Sequence, residues 1–347
     1  MAPPLRTDPA HPFAHHSMKV RVPSIIADVI ARNADYPARV KDNLQRLHDA
    51  IATDAEMALL PDLTPDFGAW ASPFAWFMGQ TWLNTQWFFA ELYAYRWINH
   101  AVDYWQTARD PFAPFKAEER ERPALWEVLG EALAVEADAE AHLRHLMLYM
   151  LWGNRIDLSL KAAADQGTTA HDDYLLADDL DAAVHHLVSQ DPAPLHLVMD
   201  NAGTEQAMDL AFADYVLRTN VSTEVVLHVK LLPVLVSDVI AADMPLLLRR
   251  MREQGGPFAK LAERLHGFLD DGRLRVVPDG YWNEPLFLWH LPKHLERPIE
   301  HSRLVILKGD ANYRRTTHDA LWPEDTTLSH ILRDFQAPLL ALRTLKS

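Results

Sequence analysis

Asp200 and Asn201 follow one short apolar run, Leu195 to Met199, and Asp238 follows a second, Val225 to Val229, by way of Lys230, Pro233 and Ser237. The same pattern then delivers cations. Leu304 to Leu307 ends in Lys308, Gly309, Asp310, Ala311, Asn312, Tyr313 and Arg314, and Leu339 to Leu342 ends in Arg343, Thr344, Leu345 and Lys346. Two carboxylates and an amide are hard oxygen donors, suited to Mg, Mn, Co or Ni with positions left open for water and phosphate. A divalent ion held by two aspartates is formally neutralised, so a phosphate dianion beside it needs charge from Lys308, Arg314, Arg343 or Lys346. The chemistry expected is stabilisation of a transferring phosphoryl group by metal and lysine together. The residues leave open whether a metal-activated water or Asp200 itself is the nucleophile.

Such a site needs strands that end together. Apolar runs of four or five residues read as buried parallel strands, and open α/β sheets bind ligands outside the carboxyl ends of their strands. Gly203 permits a tight turn, and apolar residues recur at helical spacing from Thr204 to Arg218, which sets Asp200 and Asn201 before a helix N-terminus. Taken singly, Asp200 and Asn201 are well explained as turn residues and Asp238 as a helix N-cap. The recurrence of polar residues after four apolar runs favours a shared site. Leu274 to Val277 reads as a further strand. Met244 to Glu253 and Phe258 to Leu269 read as helices parted by Gly255 and Gly256, Tyr281 to Leu291 is aromatic without a clear period, and Leu328 to Phe335 reads as a helix leading into the last strand.

The first half is helical in pattern. Residues up to about Arg21 read as a loose tail in which His11, His15 and His16 are solvated rather than metal-binding, and helix begins near Pro23 and Ser24. Val40, Leu44, Leu47 and Ile51 mark an amphipathic helix, and Pro61, Pro65 and Pro73 punctuate a loop. Six of the eleven tryptophans lie between Phe67 and Trp105. Within that span Glu91 and Arg96 are expected to find partners in the core rather than touch substrate, because charge in so apolar a setting must be paired. One long helix is predicted from Pro123 past His142 and His145 to Trp152, capped by Gly153 and Asn154. His171 to Gln190, with five aspartates, reads as a solvated acidic face. The predicted architecture is a three-layer α/β/α sandwich with a mainly parallel sheet, divided into a helical region over 1–190 and an α/β metal-binding catalytic domain over 191–347.

The 347 residues are 49% hydrophobic and 23% charged, which is ordinary for a folded chain with a sizeable core. A formal net charge of -15 argues against a nucleic-acid surface. Without cysteine there is no disulfide, thiolate metal site or cysteine nucleophile. Met1 to Lys19 has no apolar signal core, and Val225 to Ile240 is broken by His228, Lys230, Pro233 and Asp238, so neither a leader nor a membrane span is expected. A cytoplasmic protein acting on a small molecule follows, with its oligomeric state open.

Asp200-Asn-Ala-Gly-Thr-Glu205, Pro233 to Ser237-Asp238, Lys308-Gly-Asp-Ala-Asn-Tyr-Arg314 and Arg343-Thr-Leu-Lys346 together resemble the metal-dependent damage-control phosphatases. More narrowly, the Arg-Thr-x-Lys ending is similar to the subfamily that acts on sugar phosphates, one member of which is named for methylating acidic residues. Trp87 to Arg96 and Leu151-Trp-Gly-Asn154-Arg-Ile-Asp157-Leu-Ser159 fit that subfamily too, so the likeness spans nearly the whole chain. The resemblance implies an α/β/α sandwich with a helical N-terminal region, and a divalent metal held by Asp200, Asn201 and Asp238. It further implies substrate contacts from Asp310, Ala311, Asn312, Tyr313 and Arg314, and from Lys346 and Glu205, and it draws Asn154 and Asp157 toward the site. Ala311 stands where a larger apolar residue is common in the family, and the chain ends at Ser347 where relatives continue.

The expected function is metal-dependent hydrolysis of phosphorylated sugars such as fructose 1-phosphate and fructose 6-phosphate. One alternative is S-adenosylmethionine-dependent O-methylation of protein glutamates, although no strand here runs into a G-x-G-x-x-G loop. Another is a non-catalytic phosphosugar-binding protein, since fold does not fix function.

Overall fold

A computed structural model describes residues 2–61, 64–153 and 175–345. At its centre lie five parallel strands, β1 (Leu195–Val198), β2 (Val225–Lys230), β3 (Leu274–Asp279), β4 (Leu304–Lys308) and β5 (Leu339–Leu342), in the spatial order β3-β2-β1-β4-β5. β1 pairs on one side with β2, Leu195 opposite Val225, and on the other with β4, Leu195 opposite Leu304. The chain therefore leaves β1 in one direction and later returns to its other side, which places the switch in strand order between β1 and β4. There the connections at the carboxyl ends diverge and leave a crevice.

Alternation along the strands sorts their side chains into two layers. Leu195, Leu197, Val225, Leu227, Leu304 and Ile306 face helices Pro123–Leu133, Ala139–Trp152, Leu180–Val188, Thr204–Arg218, Asp243–Gln254 and Gly256–Asp270. Val198, Val305 and Leu307 face the opposite layer, built from the turns at Tyr281 and Leu288 and helix Lys293–Glu300. The predicted α/β/α sandwich is borne out, with each of the four apolar runs, and the further stretch Leu274 to Val277, forming a strand. A third cluster gathers the N-terminal aromatic residues around helix Trp87–Ala101 and reaches into the α/β part through Val234.

Three local expectations are corrected. The first twenty residues are not a loose tail: Leu5 N–H donates to Asp319 O, Thr7 N–H to Thr85 O, and Ala14 and Met18 are buried. His15 is likewise engaged, its Nδ1 lying 2.7 Å from Thr7 O. Helix Pro12–His16 runs through a π turn, Ser17–Arg21, into Val22–Arg32. Ala14, Met18, Val22 and Ile26 are spaced by four, which in an ideal α-helix drifts about 40° per step; the wider π turn offsets that drift and keeps all four inward. The helix expected from Pro123 to Trp152 is two, because Asp138 caps a new start by accepting Ala141 N–H at 2.9 Å. Both halves then pack on helix Thr204–Arg218. The acidic stretch before β1 is only partly solvated: helix Leu180–Val188 buries Leu180, Val184 and Leu187, while Asp178 and Asp181 hold Arg144. Among the described residues no helix is long and apolar enough to cross a membrane.

Candidate active site

Met199 follows β1, and Gly203, at φ +84°, turns the chain into helix Thr204–Arg218. Between them Asp200 and Asn201 meet the loop that follows β2. Val239 N–H donates to Asp200 O at 2.8 Å and Ala202 N–H to Ser237 O at 2.7 Å, so Asn201 and Asp238 lie opposite each other in an isolated antiparallel bridge. This loop is under strain: Leu235 (φ +51°) and Val236 (φ +71°) are both left-handed, a conformation particularly unfavourable for β-branched valine. It is held from the N-terminal region. Asn99 Nδ2 donates to Pro233 O at 2.8 Å, and Val234 is buried among the aromatic residues.

Buried polar groups converge on this bridge. Asn201 Nδ2 donates at 2.7 Å to both Asp200 Oδ2 and Glu205 Oε1, and Asn201 Oδ1 accepts the Ser237 hydroxyl. Lys308, the last residue of β4, donates to Asp209 Oδ1 at 2.9 Å and lies 3.4 Å from Glu205 Oε2. Lys230, the last residue of β2, lies 3.4 Å from Asp238 Oδ2 and 3.5 Å from Asn312 Oδ1. Asp238 Oδ2 and Asp209 Oδ2 accept no hydrogen bond. Gly309, at φ +81°, supplies the wall behind Asp200: a Cβ there would stand 2.0 Å from the Asp200 carboxyl carbon.

Among the described residues, four carboxylates, Asp200, Glu205, Asp209 and Asp238, thus share buried space with the ammonium groups of Lys230 and Lys308. Burial pushes Asp209 and Asp238 up to about 6, with the lysines opposing the shift. Burial likewise lowers Lys230, whereas for Lys308 the pull of Asp209 and Glu205 outweighs burial and raises it. Among the described residues no three His, Asp or Glu side chains converge as a ready metal cluster. The donors that fit a hard cation are the buried carboxylates of Asp200 and Asp238, brought together by the bridge between the β1 exit and the loop after β2. The Asn201 amide shows its nitrogen to Asp200, and a half-turn of the amide would exchange it for oxygen.

The remaining predicted contacts divide by place. Asn312 is buried in the cluster, its Nδ2 donating to Lys308 O at 2.8 Å, and Ala311 is buried beside it. Asp310, Tyr313 and Arg343 form a half-buried group: Arg343 Nε donates to Asp310 Oδ1 at 3.0 Å and its guanidinium lies over the Tyr313 ring. Arg314 is engaged otherwise. It donates to Asp319 at 2.7 and 3.1 Å and to Glu91, and stacks 3.6 Å over Trp87, so a phosphate at its guanidinium would have to displace those carboxylates. Glu91 is therefore paired within the core, as is Arg96, which holds Asp66 with two hydrogen bonds. Asn154, Asp157 and Lys346 lie outside the described residues; a Cβ added at Gly153 would stand 3.1 Å from Glu205 Cα.

Comparison with known proteins places this geometry. Residues 17–347 match the damage-control phosphatase ARMT1-like domain. The chain belongs to that family. Damage-control phosphatase ARMT1 of Danio rerio is 27% identical over 395 aligned positions, covering 96% of this chain and 87% of the relative. The Homo sapiens protein of the same name is 23% identical, covering 96% and 88%. A DUF89 family protein from Pyrococcus horikoshii, whose crystal structure is known, aligns over 94% of this chain and 98% of its own, at 13% identity and a TM-score of 0.49. Family membership supports a phosphatase role in metabolite repair. Within this damage-control phosphatase chain, Asp209 and Asn99 escaped the sequence reading, and Lys230 and Ser237 were named there without a role in the site. Asp209 was accessible through its i+4 spacing from Glu205 on one helix face, and Lys230 as a lone charge ending a buried run. Asn99 carries no signal of its own, because its partner is 134 residues away.

Proposed function

We propose that the protein is a metal-dependent phosphatase that hydrolyses phosphorylated sugars such as fructose 1-phosphate and fructose 6-phosphate. The observation that carries this reading is the buried cluster at the β1/β4 switch point, where Asp200, Asn201 and Asp238 meet across the bridge between two strand exits with Lys230 and Lys308 beside them. Asp200 and Asp238 would hold Mn, Co, Ni or Mg, with Asn201 completing the set. A cation so bound supplies Lewis-acid polarisation of the phosphoryl oxygens. Lys308, steered by Asp209 and Glu205, offers a fixed positive charge to an oxygen of the transferring group. Lys230 keeps Asp238 in place beside Asn312. Arg343 and Asp310 stand at the rim as donor and acceptor for sugar hydroxyls, and Lys346, Asn154 and Asp157 belong to the same reading as further substrate contacts.

The test is phosphate release from fructose 1-phosphate and fructose 6-phosphate by metal-stripped protein, before and after addition of each cation. Release only with metal is expected, together with a melting temperature raised by Mn, since a ligand bound only by the folded state stabilises it. Full turnover in excess chelator would refute the metal site. Methyl transfer to a protein carboxylate, assayed in parallel, would favour the methyltransferase alternative if it appeared without phosphate release.

A further inference from the structure

A cleft of about 240 Å³ opens onto the site from the helical side. Its floor is Asn201, Ala202 and Ser237, residues directly adjoining the two proposed metal-holding aspartates, and its walls come from helices Val22–Arg32 and Ala113–Glu121. None of the wall residues belongs to the motifs that carried the sequence reading.

The walls hold donors and acceptors in matched pairs. Arg32 donates to Glu118 at 2.6 Å and Arg122 lies 3.0 Å from Glu119. Glu119 is fixed from behind, accepting the Thr204 hydroxyl at 2.8 Å and lying so close to Gly203 that a Cβ there would stand 2.3 Å from Glu119 Cγ. Phe115 contributes a half-buried ring, with the Arg32 guanidinium 4.4 Å from its centroid. Lys116, the other cation in the lining, is buried and committed to Asp110 and Asp243 at 3.0 and 2.7 Å. The free valences on the walls are therefore those of carboxylate–guanidinium pairs beside an aromatic ring. Such a surface carries little net charge and suits neither a second phosphate nor an apolar body; it suits vicinal hydroxyls, which donate to a carboxylate while accepting from a guanidinium.

We propose that this cleft binds the hydroxylated, non-reacting end of the substrate, so that Phe115, Glu118 and Arg122 in the helical region determine specificity. The proposal rests on the phosphosugar reading above. A ligand whose phosphate reaches Asp200, Asp238 and Lys308 leaves its sugar over Asn201 and Ser237, between the paired side chains. Specificity is then set by a helical segment, remote in sequence, while the strand ends set the chemistry.

Kinetics of Arg122→Ala, Glu118→Gln and Phe115→Leu on both fructose phosphates and on p-nitrophenyl phosphate, which lacks hydroxyls, test this. Arg122 and Glu118 are exposed, so their variants should fold. Arg122→Ala and Glu118→Gln should each raise KM for at least one fructose phosphate and lower the ratio of sugar to aryl kcat/KM about tenfold, the loss of one charge-assisted hydrogen bond, and Phe115→Leu should lower the same ratio through lost ring contact. An unchanged ratio, whether from no effect or from equal loss on every substrate, overturns the cleft while leaving the phosphatase reading intact. Wild-type protein that cleaves the aryl phosphate but neither sugar overturns the phosphosugar reading and the cleft together.

Discussion

Gly309→Ala probes the site at its tightest point. The added Cβ would stand 2.0 Å from the Asp200 carboxyl carbon, against ordinary contact from 3.4 Å, so the carboxylate or the β4 exit must retreat by about 1.4 Å. Displacement of a reacting group by about 1 Å can lower turnover roughly a hundredfold. Alanine at φ +81° also costs about 1 to 2 kcal/mol of stability. Gly272→Ala separates the two effects: Gly272 has φ +82° and open space around the added Cβ, so it carries the conformational cost alone. kcat/KM on fructose 1-phosphate, denaturant midpoints and calorimetric Mn titration should be measured for both variants. Gly272→Ala should lose only the conformational cost and Gly309→Ala more, with activity and Mn affinity falling only for Gly309→Ala. Folded Gly309→Ala protein within threefold of wild type on both counts would refute the placement of Asp200 in the chemistry.

Asn99→Ala should weaken Mn binding about tenfold and destabilise the protein by about 1 to 3 kcal/mol, because it orphans the buried Pro233 carbonyl that anchors the strained loop. A calorimetric Mn titration matching wild type would sever the link between the helical region and Asp238. His196 and His228, 2.8 Å apart beneath the sheet, are pushed down to about 4 and 3, chiefly by burial. Their folded pKa values lie below the unfolded value near 6.5, so the stability they contribute is present above that pH and is lost as pH falls toward 4 and 3. Between pH 7 and 5 each should remove up to about 2 kcal/mol. Urea midpoints of His228→Leu should fall less steeply with acidity than those of wild type, and parallel slopes would contradict this.

Much of the fold was legible because its signals are local. The four apolar runs became strands, and the three central ones, β1, β2 and β4, are buried throughout, since a parallel strand covered on both faces must be apolar along its length. Their polar exits named Asp200, Asn201, Asp238 and Lys308, and the structure gathers all four with Glu205 and Asn312. The loose tail was misread because the apolar residues from Ala14 to Ile26 keep one face only through a π turn, which no ideal period contains.

What tertiary structure alone decided is how each charge is used. Arg314 and Arg343 both follow strand exits and look equivalent in sequence, yet Arg314 is bound by Glu91, from a helix 223 residues earlier, and by Asp319, while Arg343 stands at the rim with Asp310. Lys230 reads as an interruption until β2 ends it beside Asp238 and Asn312. The meeting of these carboxylates with Lys230 and Lys308 is likewise absent from any stretch of sequence, because the six groups come from two strand ends, one helix and two loops. A residue's type fixes which interactions it can make. Which of them it does make depends on partners that only folding brings within about 3 Å.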